Sequence, residues 1–179
     1  MKGISSKAIR ILGDSLRNHF YLRHLSLRGS LRSSRHLAIL SKALEHNVSL
    51  NYLDLSDNEC VFADKHLPVE FVDALRTNGN IHELVLDRNG ISNQEIETLV
   101  PAVLHNVTTL SLRSNRIDDA AVRILVDWVL LRTWCSILSH RVTFFSSTSI
   151  MTLKNHNCVS SHSNNLINIQ VRNLYINLI

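Results

Sequence analysis

His24, Ser26 and Asp54 have the side-chain types that activate a nucleophile. A serine hydroxyl attacks when an imidazole takes its proton, a carboxylate orients that imidazole and an oxyanion hole receives the charge. Outward side chains on an open sheet exclude no water and carry no such hole, so the triad reading is rejected. The chain also has ten histidines and three cysteines, Cys60, Cys135 and Cys158. The histidines show no HExxH spacing and the cysteines no CxxC, so no metal site is expected. No glycine-rich loop cradles a phosphate, and no cofactor is expected. Asp118-Asp119 is a carboxylate pair, but it opens a helical pattern, where Asp serves as a cap. His46 and His105 stand at equivalent helix ends, where a cation suits the negative terminus.

The elements that carry these residues follow from spacing. The stretch LNYLDLSDN, Leu50 to Asn58, has apolar residues at offsets 0, 3 and 5 and Asn at offset 8. The pattern recurs at Leu22, Leu25, Leu27 and Ser30, at Ile81, Leu84, Leu86 and Asn89, and at Val107, Leu110, Leu112 and Asn115. Successive middle leucines lie 28, 31 and 26 residues apart. Self-similarity at a period of roughly 20–30 residues marks a leucine-rich repeat. These motifs resemble the helix-containing repeats of ribonuclease inhibitor and of the cytosolic nucleotide-binding receptors, over about residues 3 to 131. The resemblance implies an α/β leucine-rich-repeat solenoid of about four repeats over residues 1–131. Short parallel strands would line its concave face and helices its convex face. The nucleotide-binding domain that often accompanies such repeats has no counterpart in this sequence.

Each copy reads as strand, turn, helix and return. Strand side chains alternate, so the middle leucines point inward and their neighbours outward. Asn58, Asn89 and Asn115 fall where the chain turns, and a buried Asn bonds neighbouring backbone through both its carbonyl and its amide. They are expected to form a structural ladder, which Ser30 serves only in part. Two residues further on come Cys60, Ile91 and Ile117, so Cys60 is expected to be an inert buried plug.

Helices are expected over 35–46, 93–104 and 118–131, and over a segment carrying Phe71, Val72 and Leu75 with Pro68 in its first turn. Pro101 predicts a kink or a broken turn. Asn47, Asn78-Gly79 and Asn106 predict left-handed helix ends. Gly3-Ile4-Ser5 matches Gly90-Ile91-Ser92, with Ile9, Leu12 and Leu16 in the helix that follows. The chain thus opens inside a repeat, and the solenoid is expected to be incomplete at both ends.

Residues 1–131 hold 15 acidic and 15 basic residues, so the whole net charge of +4 comes from residues 132–179. That balance argues against nucleic-acid binding, which needs clustered cations. No apolar run of about 18 residues predicts a membrane span, and no signal peptide is visible at the start. Unpaired cysteine spacing fits a reducing compartment, cytoplasmic or nuclear. Asn47-Val48-Ser49 and Asn106-Val107-Thr108 match the glycosylation sequon but read as by-products of the repeat. Residues 132–179 contain no Asp, Glu, Ala, Gly or Pro and resemble translated AT-rich non-coding sequence. A genuine alternative C-terminus is the other reading of this atypical tail. Val171, Leu174 and Ile176 fit offsets 0, 3 and 5, but Ile179 stands at the Asn position, and the match is read as chance. Residues 140–165 are expected to lack a stable fold of their own.

The expected concave face is polar. Aromatic residues and arginines are favoured at interfaces, which selects Arg28, Tyr52, Asp54, Glu83, Asp87, Arg88 and Arg113 as the partner-binding set. The function expected is a non-enzymatic protein-interaction module or scaffold, with a protein partner and no small-molecule substrate. The alternative is a fragment of a Ran-type GTPase-activating protein, which such repeats resemble. The resemblance would place Asp57, Arg88, Arg113 and Arg116 against the GTPase. A truncated product with no function of its own is the third reading.

Overall fold

The computed structural model describes residues 3–62, 67–103, 105–127, 167–171 and 174–178. Four short strands run parallel: β1 (His24–Ser26), β2 (Tyr52–Asp54), β3 (Glu83–Val85) and β4 (Thr109–Ser111). Their register puts Leu25, Leu53, Leu84 and Leu110 side by side. The pleat sends these leucines to one face and their neighbours to the other. Leu53, Leu84 and Leu110 are buried, and Leu25, on the end strand, is half-buried. The outer motif positions Leu27, Leu55, Leu86 and Leu112 join the same core.

A parallel neighbour can be reached only by a crossover, and helices supply it. Helix α1 (Ser6–Arg17) precedes β1, and α2 (Ser34–Leu44) joins β1 to β2. The longest spacing, from Leu53 to Leu84, holds two helices, α3 (Glu59–Phe62) and α4 (Val69–Thr77). Helix α5 (Asn93–Val103) joins β3 to β4, and residues 119–127 are helical. Helix α1 packs on α2, α2 on α4 and α4 on α5. The buried faces of α1 and α5 carry Ile9 and Leu16, and Ile96, Leu99 and Val103, at helical spacing. At the start of α5 the Ser92 N–H donates to Glu95 Oε2 at 2.8 Å, half of a capping box.

Asparagines join the coils at the turn after each strand. Asn58 Nδ2 donates to the carbonyls of Leu27, Leu55 and Ser56, while its Oδ1 accepts from the Leu31 N–H at 2.8 Å. Asn89 Oδ1 accepts from the Asn58 N–H, and Asn115 Oδ1 from the Asn89 and Ile91 N–H groups. Just before them Gly29, Asp57, Arg88 and Ser114 all adopt positive φ, between 54° and 59°.

Three expectations are corrected. Cys60 is exposed, because a helical turn starts directly after Asn58 and delivers Val61 and Phe62 to the core instead. Asn78 is extended (φ −76°, ψ 112°), and neither Asn47 nor Asn106 has positive φ, so none is a left-handed cap. Asn47 and Asn78 instead build a second ladder. Asn47 Nδ2 donates to the carbonyls of Leu16 and His19, and Asn78 Nδ2 to those of Leu44 and Asn47. Helix α5 continues through Pro101 to Val103. This close to the helix end the missing N–H removes a single bond. Two described segments of the tail lie in the sheet. Strand β6 (Leu174–Leu178) lies parallel to β4 with Ile176 opposite Leu110, and β5 (Ile167–Val171) pairs antiparallel with β6. Strand β6 is offset by two residues from the repeat register, since the motif would set Leu174 opposite Leu110, so the pairing gives the spacing no support as a further repeat. The expectation for residues 140–165 lies outside the described residues.

Candidate protein-binding face

The outward residues of the sheet form rows. His24, Tyr52, Glu83 and Thr109 make one row, and Ser26, Asp54, Val85 and Ser111 the next. At the turns stand Arg28, Ser56, Asp87 and Arg113, followed by the positive-φ residues. Three-residue strands fix these positions tightly, since each strand bonds the next through backbone. The Asn51 and Tyr52 N–H groups donate to the Arg23 carbonyl, His82 and Glu83 to that of Asn51, and Thr108 and Thr109 to that of His82.

Side chains tie the rows together. Ser26 Oγ donates to Asp54 Oδ2 at 2.9 Å, and Ser111 Oγ donates to Asp87 Oδ1 at 2.7 Å. Asp54 also accepts from the Ser56 N–H at 2.9 Å and is only 8% exposed. Burial pushes its pKa up, but the Ser56 and Ser26 hydrogen bonds and the Arg28 charge outweigh it and hold the carboxyl below its ordinary value. Asp54 is therefore a rung between strands, not an open contact. Ser26 reaches Asp54 directly, and the His24 ring lies against Tyr52 with centroids 5.6 Å apart. The three groups of the rejected triad are thus engaged in other contacts.

Tyr52 is half-buried, Asp87 half-buried, and Glu83, Arg28, Arg88 and Arg113 are exposed. Burial, and then the charges of Asp54, Glu83 and Asp87, push the Tyr52 phenol above its ordinary pKa, so it stays a neutral donor. Asp57 holds two of the rim arginines: Arg28 Nε lies 2.6 Å from one carboxylate oxygen and an Arg88 nitrogen 3.7 Å from the other. Arg116 lies 2.7 Å from Glu59. The arginines of the GTPase-activating alternative are thus partly engaged, Arg88 by Asp57 and Arg116 by Glu59. Asp118 accepts from Asn93 Nδ2 and from the Ala120 N–H, so it caps the last described helix. The Asn93 bond, and then the Ala120 bond, hold its carboxyl below the ordinary value.

Sequence spacing pointed to the row positions but not to Ser26 and Ser111 as anchors of the carboxylates, nor to Asp57 as the bridge between two arginines. The signal for the first was present: a serine stands one repeat away from Asp54 and from Asp87. Among the described residues no helix is long and apolar enough to cross a membrane. No group of His, Cys, Asp or Glu is placed to hold a metal among them.

No family model matches the chain, and no curated protein matches it. Among solved structures it is similar to that of leiomodin-1 actin-binding site 2. The TM-score is 0.59 and the identity 16%, over 71% of this chain and 74% of that one. At that identity the likeness speaks for the fold alone. With the parallel strands in register, it is consistent with a fold of the leucine-rich-repeat type.

Proposed function

We propose that this chain is a non-enzymatic protein-interaction module, a solenoid of the ribonuclease-inhibitor-like type, that docks a protein partner on its strand face. The observation that carries the reading is the row of Tyr52, Glu83, Asp87, Arg88 and Arg113 on adjacent strands and turns. Backbone and side-chain bonds hold these positions, so little ordering entropy is lost when a partner arrives. Tyr52 brings a rigid aromatic surface, and arginines beside carboxylates give a charge pattern that selects register. The similar leiomodin-1 structure is an actin-binding site by name, which makes actin the first partner to try by co-sedimentation. A cytoplasmic or nuclear setting belongs to the same reading.

The decisive experiment is photo-crosslinking in cells, with a crosslinking amino acid at position 52 or, as a control, at position 97 on α5. A discrete protein adduct is expected from 52 and not from 97. Glu83→Lys with Arg88→Glu should remove it. Equal labelling from both positions, or an adduct indifferent to the charge reversal, would overturn the reading.

A further inference from the structure

Charge is unevenly distributed along the repeats. Residues 1–50 carry nine Lys and Arg against Asp14 and Glu45, whereas residues 51–131 carry six against thirteen acids. The halves carry about +7 and −7, and their cancellation hides both. Part of the positive excess lines one groove. Arg10 and Arg17 on α1 and Lys42 on α2 border a cleft of about 200 Å³, completed by Gly13, Asp14 and Ile39. The cleft is shallow there because Gly13 lies close to Ile39 and Ala43, with room for no more than a Cβ at 3.6–3.7 Å.

The three cations are exposed. Among the described residues the ion pairs are Arg28–Asp57, Arg76–Asp73, Arg88–Asp57 and Arg116–Glu59, and none of them involves α1 or α2. Three residues beyond Arg17 the chain presents Phe20 and Tyr21, 63% and 86% exposed. Val48, 59% exposed, joins them from the next return loop. The Asn47 and Ser49 side chains fasten that loop to the carbonyls of Leu16, His19 and Leu22. Exposed cations outside these ion pairs, beside exposed aromatics on a fixed rim where Tyr21 stands edge-on to His19, form an interaction surface.

We propose that the α1–α2 groove, with the Phe20–Tyr21 rim, docks an acidic helical segment of a partner protein. Arg10 and Arg17 stand seven residues apart on one helix, about 10.5 Å along its axis. A second helix carrying carboxylates at the same interval matches both arginines, and Lys42 meets a third acid from the other wall. Half-buried Ile39 gives the groove an apolar floor on which an aliphatic side chain of the partner can rest. Asp14 sits between the two arginines, where it opposes a continuous phosphate backbone, which favours a peptide over a nucleic acid. The surface is separate from the strand face and does not depend on its role.

The test uses the full chain and a fluorescein-labelled peptide bearing Glu at positions i and i+7 with Leu between them, followed by fluorescence anisotropy. Arg10→Glu, Arg17→Glu and Lys42→Glu together should weaken binding by about tenfold or more, and high salt should weaken it likewise. All three side chains are exposed, so an unchanged circular dichroism spectrum is expected. Arg10→Lys with Arg17→Lys should keep binding within about threefold, which separates lost charge from lost fold. Glu83→Lys on the strand face should leave binding unchanged. No binding, indifference to the charge reversal, or tighter capture of a labelled oligouridylate by the same residues would overturn the proposal.

Discussion

Replacing Asn58 by Ala would strip the Leu31 N–H and the carbonyls of Leu27, Leu55 and Ser56 of a shared partner. Asn58 is 1% exposed, so water cannot take its place. Buried groups left unsatisfied cost about 1–3 kcal/mol each before relaxation, so Asn58→Ala should lose about 2–4 kcal/mol in urea unfolding. Asn115→Ala, at a half-buried site, should lose clearly less. A second residue-scale effect depends on pH. His36 is 4% exposed, with Nε2 bonded to Ser6 Oγ and Nδ1 without a partner. Burial, and then Arg32 and Arg35, lower its pKa below 6.5. In the unfolded chain the imidazole gains a proton near pH 6.5, while in the fold it does not. Its stabilising contribution is therefore complete above pH 6.5 and is lost as pH falls from there through the folded value. His36→Gln should flatten that part of a Tm-against-pH curve, and an unchanged slope would remove His36 as its source. The turn asparagines were legible because they share an offset from the leucines. Asn47 and Asn78 also share one, six residues before Leu53 and Leu84, but their place at helix ends suggested caps. Composition cannot tell a capping Asn from a bridging one; only the neighbouring coil does.

Among the elements, the turn after each strand holds the most strain. Gly29, Asp57, Arg88 and Ser114 occupy equivalent positions with φ near +55°, which only glycine adopts without steric penalty. Ser114 is exposed. Ser114→Gly should raise stability by about 0.5–1 kcal/mol, set by relief of that strain less the extra unfolded-state entropy of glycine. A loss on chemical denaturation would show that the left-handed turn is not strained there. The helices give the opposite case. Gly13 lies inside α1, where a Cβ would meet Ile39 and Ala43 at ordinary contact distances of 3.6–3.7 Å. Gly13→Ala should therefore stabilise by about 0.5–1 kcal/mol through helix propensity, measured as a rise in Tm. Strands and long helices were legible because their periodicities differ, 2 against 3.6. The turn conformation was not, since one position accepts Gly, Asp, Arg and Ser alike. Nor was the orientation of Cys60, because it depends on α3 starting one residue after Asn58.

For the whole molecule, the open question is how the sheet ends. An uncovered strand presents unpaired N–H and C=O groups to any passing strand. Among the described residues strand β1 is the sheet edge on one side, whereas β4 is flanked by β3 and β6. The repeat pattern over residues 22–115 fixes four strands, and composition set residues 132–179 apart because they lack acids and small residues. Pairing, however, is a backbone property, and β6 pairs with β4 two residues out of the repeat register, with Ile176 and not Leu174 opposite Leu110. Composition is blind to that, which is why the tail strand was not anticipated. Hydrogen exchange tests the arrangement. In the full chain, amides of a peptide spanning 109–112 should exchange more slowly than those of one spanning 23–27, because β4 has neighbours on both sides and β1 on one. A chain cut after residue 131 should lose that difference as β4 becomes a second edge. It should also gain a concentration-dependent tendency to associate, read by light scattering. Equal protection of β1 and β4 in the full chain, or protection at 109–112 that survives the cut, would show that β6 does not pair with β4 in solution.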